Sequence, residues 1–344
     1  MAQVHSVPAG IGRAFRRLGW PLLRLAAAVT VLWFLWRHVG AAPFKDGLRA
    51  VTWPAVVAAV TLTALTTVCS AWRWRVAAQA LGMSIGLPAA VRSYYRSLFL
   101  NSVLIGGVLG DVHRAVTHGR RSGDVVLGMR AVAWERLCGQ VIQAVVTIVV
   151  LLTLPSPVRP ALPYVLAGVA GVAGAVGCAA LAARRGDRRG RSRLTRAARA
   201  VADDLRHGML APHVWPQLVL ASVLVVAGHT ATFVIAARVA GSTAPLGELL
   251  VLLMVIQTAT VIPLSIGGWG LREGVAAWAF AAAGFGAAAG ITIVTLYAVL
   301  MLIAVAPGAG LLLEDAVRRR RDQGQPDESR PPDPAPRPLE VVRD

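Results

Sequence analysis

Lysine is almost missing from this 344-residue chain: Lys45 stands alone, and arginine carries nearly all of the positive charge. Acidic residues are few as well, 17 against 35 basic ones, leaving a formal net charge of +18. A nucleic-acid-binding domain is one use for such charge. Only 15% of the residues are charged, however, and 56% are apolar, so little soluble chain remains to build one. The arginines lie beside apolar runs, notably from Arg184 to Arg206 and from Arg318 to Arg321. That is the positive-inside pattern of cytoplasmic membrane loops, whose neighbours are anionic headgroups. Cysteine is limited to Cys69, Cys138 and Cys178, each inside an apolar run and no two at a metal-ligand spacing. They read as small core residues, which excludes a disulfide framework or a zinc site. No Gly-x-x-x-x-Gly-Lys-Ser/Thr loop and no His-Glu-x-x-His occurs. ATP-driven work and zinc hydrolysis by this chain are thereby disfavoured, and neither cofactor nor metal is expected.

Long uncharged runs are what the chain has in abundance. Ala55 to Ala71, Leu137 to Leu154, Ala161 to Ala183, Gly208 to Ala237, Leu249 to Leu271 and Gly274 to Leu313 contain no Asp, Glu, Lys or Arg. About 20 apolar residues cross a bilayer as a helix, and the mean hydropathy is +0.61. The reading is an all-α, polytopic integral membrane protein. Arg13, Arg16 and Arg17 precede a first span near Leu22 to Trp36, read as an uncleaved signal anchor. Further spans are expected at Trp53 to Trp72, Val125 to Leu154, Ala161 to Ala183, Trp215 to Ala237 and Ile291 to Leu313. Trp33, Trp36, Trp53, Trp72, Trp74 and Trp215 fall at span ends, as belt anchors do. The domain plan is a basic cytoplasmic tail over 1–19, a membrane domain over 20–313, and a disordered cytoplasmic tail over 314–344. Both termini fall inside, at the plasma membrane.

Two apolar segments are broken by glycine next to charge. The first reads Asn101-Ser102-Val103-Leu104-Ile105-Gly106-Gly107-Val108-Leu109-Gly110-Asp111, with His113 and Arg114 beyond. The second reads Ile262-Pro263-Leu264-Ser265-Ile266-Gly267-Gly268-Trp269-Gly270-Leu271-Arg272-Glu273. Irregular backbone at membrane depth needs protein or a water-filled cavity around it, so each reads as a re-entrant hairpin or broken helix. The total is roughly six full spans plus two hairpins, or about eight spans. Transporters repeat such broken elements in their two halves and bind substrate there; chance recurrence and close helix packing are the competing explanations. Ionisable residues inside membrane segments are costly and mark function. Neighbours on a helix do not face each other, so Glu135, Arg136, Arg272 and Glu273 are expected to pair across the two halves. His229 reads as a packed, hydrogen-bonded core histidine, and His113 and His118 as solvated loop residues. Trp269, inside the second break, is open between packing and lining a headgroup pocket or gate.

Trp72-Arg73-Trp74-Arg75, the Asn101 to Asp111 segment with Arg114, Glu135-Arg136-Leu137, and Pro263 to Gly274 together resemble the lysylphosphatidylglycerol synthase transmembrane family. This is the flippase-like membrane domain of multiple-peptide-resistance proteins. The chain departs from it where Ile105 replaces a usual proline and Glu135 a usual aspartate. The resemblance implies translocation of an anionic, aminoacylated or glycosylated lipid between leaflets. No synthase module follows Leu313 within this sequence, so synthesis of the lipid is not expected. The site expected to bind the lipid comprises Asn101, Asp111, Arg114, Glu135, Arg136, Trp269, Arg272 and Glu273. Gly106, Gly107, Gly110, Gly267, Gly268 and Gly270 supply the backbone breaks. The alternative is a membrane-embedded glycosyl or aminoacyl transferase, or its membrane partner subunit. Expected partners are membrane lipids and a separate lipid synthase or glycosyltransferase, with no nucleic acid.

Overall fold

The computed structural model describes residues 40–104, 107–154, 200–259 and 270–324, with isolated positions at 33, 36–38, 163 and 171. The spans expected at Leu22 to Trp36 and Ala161 to Ala183 lie outside the described residues, as do Ile105, Gly106, Ile266 to Trp269 and the tail from 325. No strand occurs among the described residues. The helices are α1 (Ala42–Arg49), α2 (Trp53–Ala80), α3 (Leu87–Val103), α4 (Leu109–Arg121) and α5 (Val125–Thr153). After a π-helical turn, Asp204–Met209, come α6 (Trp215–Val239), α7 (Leu246–Ala259), α8 (Leu271–Ala282), α9 (Ala287–Val305) and α10 (Pro307–Gly324).

Four described segments are long and apolar enough to cross a membrane: α2, α5, α6 and the run Ala287–Arg318, in which α9 leads into α10. Their starts follow local rules. Trp53-Pro54 and Trp215-Pro216 open α2 and α6 with proline in the first turn, where its missing N–H leaves no bond unmade. Asp124 caps α5 by accepting the Leu127 N–H at 3.0 Å. Two boundaries differ from expectation. α2 does not stop at Arg75 but continues to Ala80, carrying Trp74 into the core at 1% exposure rather than leaving it in an aromatic belt. Val76, Ala77 and Ala78 are all buried, and this burial keeps the helix going past the arginines. Helix α10 passes the expected domain end at Leu313, held to α3 by Arg92–Glu314 and Arg96–Asp315 ion pairs, each 2.7 Å.

The helices repeat in order. Long α2, short α3, short α4 and long α5 are answered by α6, α7, α8 and α9, of 28, 17, 13 and 29 against 25, 14, 12 and 19 residues. The turns match bond for bond. Met83 N–H donates to the Ala78 carbonyl and Ser242 N–H to that of Ala237, both at 2.9 Å. Asp124 N–H to Gly119 and Phe285 N–H to Phe280 repeat this after α4 and α8, again at 2.9 Å. Gly128 of α5 packs on the Ala115 carbonyl as Gly290 of α9 packs on that of Ala276.

The two units run in opposite directions. Arg73 of α2 reaches Ser222 of α6, while Thr66, earlier on α2, presses on Gly228, later on α6. The α2–α6 contact is therefore antiparallel, the arrangement of an inverted repeat.

Within the first unit, α3 and α4 fold back on each other as a hairpin. The described sides of the two breaks each place a glycine at positive φ, Gly107 at 61° and Gly270 at 109°, where a side chain is strained. Closeness in the hairpin depends on Gly110, because a Cβ there would lie 2.1 Å from the Ser97 carbonyl oxygen. Gly110→Ala is expected to cost about 1–3 kcal/mol through overpacking, read as a lowered melting temperature in detergent. Gly310→Ala, where a Cβ meets open space, should leave it unchanged.

Candidate functional site

The first repeat encloses a layer of ion pairs. Glu135, fully buried on α5, accepts from Arg73 Nη2 of α2 at 2.5 Å and from Arg114 Nη2 of α4 at 2.5 Å. Tyr94 of α3 donates its hydroxyl to the same carboxylate at 3.2 Å. Asp111, third residue of α4, takes Arg136 at 2.7 Å and Arg114 at 3.1 Å, with Ser97 Oγ and Asn101 Nδ2 adding bonds at 3.0 and 3.2 Å. Asn101 in turn accepts the Gly110 N–H at 2.8 Å, tying the break to the cluster. The Arg114 guanidinium is sandwiched between the Tyr94 and Trp74 rings, 4.4 and 4.8 Å from their centroids. Cation–π contacts of this kind are worth about 2 kcal/mol when desolvated.

The charges in this layer do not cancel. Three guanidiniums, of Arg73, Arg114 and Arg136, meet two carboxylates, of Asp111 and Glu135. Arg73 and Arg136 also line a polar pocket of about 150 Å³ between α2, α5, α6 and α7, completed by Gln140, Gln143, Ser222, His229 and Gln257. The Arg136 side chain is 38% exposed, and its Nε has no hydrogen-bond partner among the described residues. Val226 is shared between this pocket and an apolar groove of about 560 Å³ along α5, α6 and α7, walled by Val146, Val150, Val223 and Leu250. A polar recess with excess positive charge thus adjoins an apolar trough. Headgroup and acyl chain need that pair of environments in one site.

Asn101, Asp111, Arg114, Glu135 and Arg136 are brought together as the sequence suggested, but their pairing is different. The described ion pairs of Glu135 and Arg136 stay within the first repeat. Arg272 folds back onto its own neighbour, Glu273, at 2.8 Å. Adjacent side chains were not expected to meet; they do because Glu273 turns back to accept the Gly270 N–H at 2.5 Å, which carries its carboxylate across the first turn of α8. Its second oxygen is then offered to Arg272. The second break still communicates with the pocket. Tyr297 of α9 bonds both His229 Nδ1, at 3.2 Å, and Gln257, and Arg272 acts on Tyr297 electrostatically. Trp269, Gly106, Gly267 and Gly268 lie outside the described residues.

Arg73 is the main residue that sequence reasoning missed. It was visible as part of a buried stripe, since Thr66, Ser70, Arg73 and Ala77 recur at helical spacing on one face of α2. His118 was expected in solvent and is 8% exposed, edge-on to Trp74 at 4.9 Å, because α4 packs against α3 and α5, within side-chain reach of α2, rather than looping away. His229 is hydrogen-bonded as expected. Cys69 and Cys138 are half-buried thiols, and Cys178 is outside the described residues. Gly82-Met83-Ser84-Ile85-Gly86 does spell Gly-x-Ser-x-Gly. It is a helix-to-helix turn in which Ser84 has no positive φ, so it lacks the strained strand-to-helix geometry of a nucleophile elbow.

The second repeat serves as an internal control. With the turns superposed for α2, α3 and α4, and Gly128 of α5 set on Gly290 of α9, Arg73, Tyr94, Arg114, Glu135 and Arg136 fall on Thr232, Leu253, Val275, Tyr297 and Ala298. Leu253 and Tyr297 are buried and Asp111 falls on Arg272, which pairs with Glu273, so the same architecture closes there with a single described ion pair in place of the layer. The fold alone does not require it.

The chain belongs to the family described as the lysylphosphatidylglycerol synthase TM region, whose profile matches residues 22–308. No curated protein and no solved structure matches it.

Proposed function

We propose that this member of the lysylphosphatidylglycerol synthase TM region family carries a lipid with an anionic headgroup between the leaflets of the cell membrane. One observation carries the reading: the buried ion-pair layer holds one positive charge in excess and opens, through Arg73 and Arg136, on a polar pocket beside an apolar groove. The headgroup phosphate sits against the two guanidiniums, whose forks suit its oxygens. The acyl chains stay in the groove and the surrounding lipid. Inverted repeats favour alternating access, with one unit rocking against the other along α2 and α6. The α3–α4 and α7–α8 hairpins enter the membrane from opposite faces as re-entrant elements, and both termini stay in the cytoplasm. An aminoacylated or glycosylated lipid, made by a separate synthase or glycosyltransferase that works beside this chain, fits the same recess.

Proteoliposomes test this. Labelled phosphatidylglycerol should equilibrate between leaflets faster with the protein than without it, and equal rates would sink the assignment. Arg272→Gln should abolish transfer and also lower the melting temperature, since Glu273 still caps Gly270 but its buried carboxylate loses the Arg272 ion pair. A transferase is disfavoured because Asp111 and Glu135, the available bases, are each held by two arginines. If lipids from cells lacking the gene are short of a species, rather than having it in the other leaflet, the transferase reading prevails.

A further inference from the structure

A second polar hollow lies at the arginine-rich end of the first repeat, between the α2–α3 turn and the end of α4. Its volume is about 390 Å³, and Ser84, Gly86, Ala89, His118, Arg121 and Ser122 line it. The hollow meets the N-terminus of α3, a 17-residue helix whose cap residue, Gly86, gives it no side-chain bond. Ala90 is the first N–H of the helix to bond back, at 2.9 Å to the Gly86 carbonyl. Earlier N–H groups and the positive end of the helix dipole are left for an anion.

His118 points independently to a ligand. It is buried to 8% exposure, lines the hollow, and has no side-chain hydrogen bond among the described residues. The repeat again shows that the fold does not demand it: with the α4 and α8 turns superposed, His118 matches Ala279 and Arg121 matches Ala282. Burial, then the charges of Arg121, Arg114, Arg96 and His113, push the His118 imidazole down to about 4. The ring is therefore neutral at physiological pH, with one N–H to donate. Asp124, the nearby carboxylate at the start of α5, is engaged with the Leu127 N–H.

We propose that this hollow is an anion site for a phosphate group, free or on a lipid headgroup, held by Arg121, His118, Ser84 and the first turn of α3. It is separate from the Arg136 pocket, so either can fail without the other. The experiment uses the full chain in neutral phosphatidylcholine nanodiscs, with the His118 ring resonance assigned by its loss in His118→Phe. Adding inorganic phosphate should raise the His118 midpoint by about one pH unit or more, as a bound anion does. Arg121→Gln, at an exposed position that does not endanger folding, should weaken binding about tenfold. If inorganic phosphate does nothing but phosphatidylglycerol in the disc produces the same shift, again lost in Arg121→Gln, the occupant is a headgroup. No shift with either probe, or binding equal to wild type in Arg121→Gln, overturns the site.

Discussion

Glu135→Ala should lower the stability of the purified protein by about 3–5 kcal/mol, the expected loss when a buried ion pair is broken from one side. Removing this carboxylate strips Arg73 and Arg114 of their shared partner while both stay buried, at 5% and 0% exposure. Two desolvated cations would then face each other across the space it left. Removing the whole group should cost far less. A chain carrying Arg73→Thr, Tyr94→Leu, Arg114→Val and Glu135→Tyr copies the second repeat at the matched positions, where Thr232, Leu253 and Tyr297 are buried and Val275 packs against the apolar cluster that holds Leu253 and Tyr297. Buried ion pairs are often replaced by apolar groups at little or no loss. Thermal unfolding in detergent separates the two cases. A single Glu135→Ala variant that melts with the wild type would refute the buried pairing.

Arg136→Gln should do the reverse: small change in melting, large change in transfer. Its side chain is 38% exposed, and Asp111 keeps Arg114, Ser97 and Asn101 when it is gone. A charge-assisted hydrogen bond to phosphate contributes about 1.5–3 kcal/mol, so leaflet transfer of an anionic lipid should slow roughly tenfold to a hundredfold. Arg136→Lys should recover part of the rate, since it keeps the charge and loses the two-pronged donor. Transfer at the wild-type rate in Arg136→Gln would remove this residue from the lipid's path.

Much of the fold was readable because membrane helices announce themselves by length. The Trp-Pro starts at Trp53 and Trp215 and the Asp124 cap lie within a few residues of their helices. The first break was readable from Gly107 and Gly110 beside Asp111, and the grouping of Asn101, Asp111, Arg114, Glu135 and Arg136 from the price of charge in a membrane. What escaped was pairing, which depends on which helices touch. Arg73 lies 62 residues before Glu135 and looked like a span-end arginine beside two tryptophans. His118 looked like a loop residue because its helix is amphipathic and short, and only contact with Trp74 puts it inside. The Arg272–Glu273 pair failed the spacing rule through a local cap, a detail of one turn that helical periodicity does not encode.

The position of Glu135 in the chain also bears on how the protein is made. Synthesis runs from the N-terminus, so Arg73 and Arg114 meet the membrane before their shared carboxylate exists. Arg73 lies in the last third of α2, near enough to its end for the guanidinium to reach the headgroups, whereas its final buried place needs a partner. Helix α2 is therefore expected to wait near the headgroups, Arg73 reaching outward, until α5 emerges and the two enter their final places together.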